Sequence, residues 1–165
     1  MTPNQFKTQW TTESDTQRFA AALAASPLIR NAQIHLRGDL GAGKTTFVRH
    51  LLAALGVKGR VKSPTYAIVE PHAGVFLGEA LAISHFDFYR FDDPQEWEEA
   101  GFRDTFAERG LKLVEWPQRV ATLLTSPDLD LQLVWSPGES DVRQVTVTAF
   151  TPNGDGLLAA IESAQ

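Results

Sequence analysis

The chain has 165 residues, 43% of them hydrophobic and 21% charged, with a formal net charge of −5 and no cysteine. That length suits one α/β domain with a real core and is short for two, so residues 1–165 are expected to form a single domain. Disulfides and thiolate metal sites are excluded, a coat for nucleic acid is disfavoured by the acidity, and no apolar run reaches the length of a membrane span.

In chain order, Phe6 to Trp10 alternates and predicts a strand. Ser14-Asp15-Thr16-Gln17 fits a capping box with Ser14 as N-cap and Gln17 at N3, opening a helix that ends near Ser26-Pro27. Ala32 to Leu36 predicts a second strand. Phe47, Leu51 and Leu55 then share a helical face, with Val48 and Leu52 beside them and Gly56 as the stop. Tyr66 to Val69 predicts a strand closed by Glu70-Pro71, whereas Gly74 to Glu79 fits either a loop or the first half of a hairpin. Ile83 to Tyr89 alternates, with Ser84, Phe86 and Phe88 on one side and His85, Asp87 and Tyr89 on the other.

Asp93-Pro94-Gln95-Glu96 is a helix start, with the helix running to Gly101. Leu111 to Trp116 predicts a strand containing an acid, and Pro117 opens another helix, ended by Ser126-Pro127. Leu129 to Trp135 and Val145 to Ala149 predict an antiparallel pair, followed by a short amphipathic helix from Leu157 to Ile161. Strands alternate with helices early and pair locally late. The expected fold is therefore a three-layer α/β sheet, parallel around its centre and antiparallel toward one edge.

The most specific stretch is Gly38-Asp39-Leu40-Gly41-Ala42-Gly43-Lys44-Thr45-Thr46, which satisfies G-x-x-x-x-G-K-[ST] between a strand and a helix. Its glycines let the main chain curl so that backbone N–H groups ring a phosphate at a helix N-terminus. Lys44 is placed to reach β/γ-phosphates, and the Thr45 hydroxyl to ligate Mg²⁺. The sequence thus predicts a nucleotide-binding protein, for which the cytoplasm is the natural compartment; the N-terminal residues lack the pattern of a secretory signal.

Hydrolysis requires carboxylate help for Mg²⁺ at a neighbouring strand end, and Asp87 and Glu115 both qualify. Lys62-Ser63-Pro64-Thr65-Tyr66 offers Thr65 as a switch-like threonine that closes over the γ-phosphate, although Ser-Pro-Thr is also ordinary turn chemistry. His85 fits a proton acceptor, a phosphate contact or a core histidine; Trp116 fits a stacking or a core role. Arg90 and Arg103 are candidates for a charge-stabilising finger. Seven acids lie between Asp92 and Glu108, while Lys58, Arg60 and Lys62 form a small basic cluster.

Taken together, the phosphate loop, Lys62 to Tyr66, His85-Phe86-Asp87-Phe88-Tyr89-Arg90 and Leu113-Val114-Glu115-Trp116-Pro117 resemble the bacterial tRNA threonylcarbamoyladenosine biosynthesis ATPase family TsaE, formerly YjeE. The resemblance runs from about Phe6 to Trp116, and more loosely through the C-terminal hairpin. It implies an ATPase that does not modify tRNA itself but associates with the TsaB–TsaD pair, which transfers threonylcarbamoyl to the adenosine beside the anticodon. ATP turnover would reset that assembly, and tRNA would be met only through the complex.

By motif, the resemblance gives Lys44 to phosphate, Thr45 and Glu115 to Mg²⁺, Thr65 to a switch-like loop, and a Walker-B-like part to Asp87. It leaves Glu115 favoured over Asp87 as the direct ligand. Thr11 to Glu13 and the Gly138-Glu139-Ser140 turn resemble the places that border the adenosine, which adds Glu13 and Glu139 to the expected ATP contacts at Gly38, Asp39, Gly41, Ala42, Gly43, Lys44, Thr45 and Thr46. Two departures stand out. The segment from His72 to Ser84 is longer than the family's, and His35 makes the phosphate-loop strand more polar than a buried parallel strand prefers.

A small-molecule P-loop kinase is the main alternative, but it would need an acceptor pocket and an arginine-bearing lid, and no arginine-rich lid stretch is present. A GTPase would carry Asn-Lys-x-Asp, which is absent. A module that holds ATP without hydrolysing it is not separated by sequence. With no obvious in-line base, the expectation is a weak ATPase dependent on a partner.

Overall fold

Alternating apolar residues build a seven-stranded mixed sheet in the order β1-β7-β6-β2-β5-β4-β3. The structure, a computed structural model, describes residues 2–61, 64, 68–135, 138 and 141–165. Its elements are β1 (Asn4–Trp10), α1 (Glu13–Ala25), β2 (Gln33–Arg37), α2 (Lys44–Ala54), β3 (Val69–Phe76), β4 (Glu79–Asp87), α3 (Pro94–Glu99), α4 (Phe102–Ala107), β5 (Leu111–Glu115), β6 (Leu129–Trp135), β7 (Arg143–Ala149) and α5 (Pro152–Ser163). Short 3₁₀ turns occupy Pro27–Asn31 and Pro117–Val120.

The centre is parallel as expected, with β2 between β5 and β6 and β4 beside β5. Antiparallel pairing extends to both edges rather than one, through β6-β7-β1 on one side and β4-β3 on the other. The second edge arises because Gly74 to Glu79 forms a hairpin. Leu77 (φ 48°) and Gly78 (φ 80°) make its two-residue turn, a conformation that matches strand twist.

The period of two sends alternate residues to opposite faces. On one face, Phe19 and Leu23 of α1, Phe47, Leu51 and Leu52 of α2, and Leu157 and Ile161 of α5 pack against Ile34, Leu36, Leu113, Leu131 and Val147 of the sheet. Each fully buried leucine or phenylalanine contributes about 1.5–3 kcal/mol. On the other face, Phe86, Phe88, Phe91, Trp97, Phe102, Val114 and Val120 form a separate cluster under α3 and α4. Phe86 stacks on Phe106 with ring centroids 4.4 Å apart.

Several boundaries differ from the sequence reading. The α1 N-cap is Thr12, not Ser14, because the Asp15 carboxylate accepts from the N–H groups of Thr11 (2.8 Å) and Thr12 (3.0 Å). That places Ser14 and Gln17 inside the helix. The strand expected at Tyr66–Val69 instead runs from Val69 to Phe76, straight through Pro71; Tyr66 and Ala67 lie outside the described residues.

Pro71 is tolerated because β3 is an edge strand. The Val75 N–H, of the same parity, points away from β4 to the Leu55 carbonyl at 2.7 Å, so the Pro71 nitrogen faces the open side too. A second helix, α4, follows Gly101, whose positive φ of 69° turns the chain between the two short helices. The segment after Pro117 is only a four-residue 3₁₀ turn.

His35, the polar intruder in β2, is 3% exposed and sits 2.9 Å from the Gln33 side-chain amide. Burial, with Arg37 nearby, holds its imidazole down to a pKa of about 3, so it is neutral in the fold.

Candidate functional site: a phosphate loop over three strand ends

Parallel strands β2, β5 and β4 deliver Gly38, Trp116 and Phe88 to the same end of the sheet, where open α/β sheets place their ligands. The loop after β2 curls through Gly38 (φ 153°), Gly41 (φ 82°) and Gly43 (φ 108°) into α2, with Gly43 as N-cap. At Gly38 a glycine is needed for room as well as rotation. A Cβ there would lie 2.7 Å from the Leu133 carbonyl oxygen and 3.0 Å from the Ala42 methyl.

Lys44 is 5% exposed and folds back over this loop, donating to the carbonyls of Gly38 and Asp39 (3.0 Å for the latter). Its Nζ lies 4.6 Å from the Trp116 ring centroid, a cation–π contact. Burial lowers its pKa, while Glu115, Asp87 and Asp39 oppose that shift. Trp116 itself is held in the left-handed region (φ 59°, ψ 47°), costly for a bulky residue and characteristic of functional turns. Its ring also packs on Tyr89 at 4.9 Å.

Glu115 ends β5 with 2% exposure. One carboxylate oxygen accepts from Thr45 Oγ1 at 3.2 Å, and the other lies 2.6 Å from His85 Nε2. Asp87 stands opposite Glu115 in the β4–β5 register and accepts from the Tyr89 N–H at 3.0 Å. Burial raises its pKa, the Tyr89 N–H opposes, and Glu115 raises it further. Two acids side by side, one of them disfavoured as an anion, form an environment in which a divalent cation relieves both desolvation and repulsion. Among the described residues no group of three or more His, Asp or Glu side chains is placed to hold a metal alone. This donor set fits Mg²⁺, which typically takes one or two carboxylates and completes its shell with phosphate and water.

Two cavities meet at the loop. One, of about 220 Å³, is lined by Leu40, Gly41, Lys44, Thr45, Asp87, Glu115 and Trp116. The other, of about 360 Å³, is lined by Trp10, Thr11, Thr12, Glu13, Thr16, Ala42 and Asp141. Gly43, Thr46 and Arg143 belong to both. The structure thus brings Lys44, Thr45, Asp87 and Glu115 together, and sets Glu13 beside the loop with its carboxylate 2.9 Å from His50 Nε2.

Thr65 and Glu139 lie outside the described residues. Arg90 is exposed and lines neither cavity, and Arg103 pairs with Glu98 at the surface (2.7 Å). Sequence reasoning missed Arg143. It stacks over Trp135 at 4.6 Å and donates to the carbonyls of Asp141 (2.8 Å) and Gly41 (3.4 Å). An arginine opening an alternating strand carries no local signal; only the β6–β7 pairing brings it to the loop.

The family model for the threonylcarbamoyl adenosine biosynthesis protein TsaE matches residues 10–145, a span that contains every residue of both cavities. The chain belongs to the TsaE family. Among TsaE proteins, that of Haemophilus influenzae is 35% identical over 147 residues, 89% of each chain. That of Bacillus subtilis is 35% identical over 143 residues, 86% of this chain and 85% of its own. The crystal structure of Bacillus subtilis YdiB matches with a TM-score of 0.74 at 28% identity, covering 99% of this chain and 97% of that one. The TsaE-family sheet described above is a P-loop NTPase-like mixed sheet. No helix among the described residues is long and apolar enough to cross a membrane.

Proposed function

We propose that this TsaE-family chain binds and hydrolyses ATP in support of tRNA threonylcarbamoyladenosine formation, acting with a TsaB–TsaD pair and meeting tRNA only through that assembly. The observation that carries the reading is Glu115, a buried carboxylate anchored on both oxygens and facing Thr45 at the mouth of the phosphate loop. A simple anion-binding turn would not need it. The family membership supplies the pathway.

Within this reading, the loop amides and the N-terminus of α2 cradle the phosphates, and Lys44 holds the β/γ-phosphates. Thr45 and Glu115 would hold Mg²⁺, with Asp87 beside Glu115 on the neighbouring strand; the ion would supply positive charge against that developing on the transferred phosphoryl group. The cavity at Trp10 and Glu13 takes the nucleoside. Trp116 covers Lys44 and keeps water from one side of it. No side chain among the described residues near the loop is an evident in-line base, which supports the expectation of weak turnover by the chain alone and stimulation by the partner pair.

The test measures ATP hydrolysis by the chain alone and with a TsaB–TsaD pair. Stimulation by the pair is expected. Efficient phosphorylation of a small acceptor, indifferent to the pair, would replace this reading with a P-loop kinase.

A further inference from the structure

His85 is buried completely on β4, on the sheet face that carries Ile83 and Leu113 of the larger core. Its register partner on β5 is Leu113, which puts Glu115 diagonally across from it on the same face. The imidazole makes one polar contact among the described residues, from Nε2 to a Glu115 oxygen at 2.6 Å; Nδ1 has none. A carboxylate only accepts, so the hydrogen of this bond sits on Nε2. The other Glu115 oxygen is left facing Thr45 Oγ1.

We infer that His85 is a positioning residue for Glu115, fixing the rotation of its carboxylate so that one oxygen stays directed at Thr45 and the divalent cation. The inference rests on the metal role proposed for Glu115. A glutamate carboxylate turns freely about its last torsion, and one that must meet a cation at a set place gains from having its far oxygen tied down. A surface acid would be oriented by water. Glu115, at 2% exposure, has almost no water to do this, and His85 is the donor on its inner side. A histidine present only for packing would have no reason to spend its one polar contact among the described residues on this oxygen.

The test is a Mg²⁺ titration of binding of a fluorescent ATP analogue, with affinity in EDTA as the metal-free reference. His85→Leu is expected to raise the half-saturating Mg²⁺ concentration by about 10-fold or more, the usual cost of losing such a partner. Metal-free affinity should stay near that of the parent chain. His85→Gln, whose amide N–H can reach the place of Nε2, should recover most of the loss, and His85→Asn, whose amide is too short, should not.

An unchanged Mg²⁺ midpoint in H85L, or an equal loss with and without metal, overturns the inference. If H85L does not fold, the H85Q and H85N pair carries the test, and equal midpoints for the two overturn it. Glu115→Ala run in parallel separates the levels. If E115A also leaves the midpoint unmoved, the metal role of Glu115 fails; if E115A moves it and H85L does not, only the positioning role fails.

Discussion

The two cavities that meet at Gly43, Thr46 and Arg143 are built on opposite plans. The smaller is set into the ends of three central strands, and its charged groups are already tied to protein. Lys44 lies on loop carbonyls and under Trp116, while Glu115 lies between Thr45 and His85. The larger lies at the β1–α1 corner and the start of β7, where Glu13 is 65% exposed along its side chain and pairs with His50. Buried, preorganised charge is what phosphoryl chemistry requires. Exposed polar side chains suffice to hold the remainder of a ligand in register. Under the proposed function, the difference gives rate to the first cavity and affinity to the second.

That division can be broken by substitution. The largest effect is expected for Lys44→Ala, which should lower ATP turnover by about 10²-fold or more, since a buried charge aimed at developing charge is lost. Next comes Glu115→Ala, expected to reduce Mg²⁺-dependent turnover by about 10²-fold while nucleotide binding falls far less; steady-state kinetics beside equilibrium binding would show it. Equal losses in both would erase the assigned role.

Arg143→Ala sharpens the comparison because the residue serves both cavities. About a 10-fold loss of nucleotide affinity is expected, with a smaller change in kcat, against only a few-fold loss for Glu13→Ala, whose side chain is solvated. If Glu13→Ala proves worse for turnover than for affinity, the division of labour is wrong.

The smallest effect on either cavity is expected from His35→Leu, which lies in the scaffold beneath them. Its imidazole is held to a pKa of about 3 against 6.5 in an unfolded chain. Between those values the unfolded chain takes up a proton that the fold refuses. The stability His35 allows is therefore complete above pH 6.5 and lost as pH falls toward 3, at up to about 1.4 kcal/mol per pH unit. Thermal melts of H35L over that window should show a flatter acid limb, with nucleotide affinity at neutral pH unchanged.

Much of this architecture was legible in the sequence because local rules determined it. The phosphate loop, the apolar face of α2, the β6–β7 pair and the placement of Asp87 and Glu115 at strand ends all follow from spacing within a few residues. What was missed depended on distant partners. Pro71 reads as a strand stop unless β3 is known to be at an edge, and Arg143 is an ordinary strand residue until β7 is paired beside β6. The α1 cap was misplaced by two residues because Thr12 and Ser14 both fit a cap on local pattern, and the Asp15 carboxylate, by reaching the N–H groups of Thr11 and Thr12, decides for Thr12. His85 was visible as a residue type, but its bond to Glu115 crosses strands and exists only in the folded sheet.

The edge strand β3 has a bearing on how the molecule avoids its own kind. An open edge is a template on which another chain's strand can pair, and the outward groups here belong to Val69, Pro71, Ala73 and Val75. Pro71 has no N–H to offer, and the Val75 N–H is already taken by Leu55. Half of the donors that a docking strand would need are thus missing from the row. The proline that breaks the strand pattern in the sequence is, in the fold, a guard against edge-to-edge aggregation.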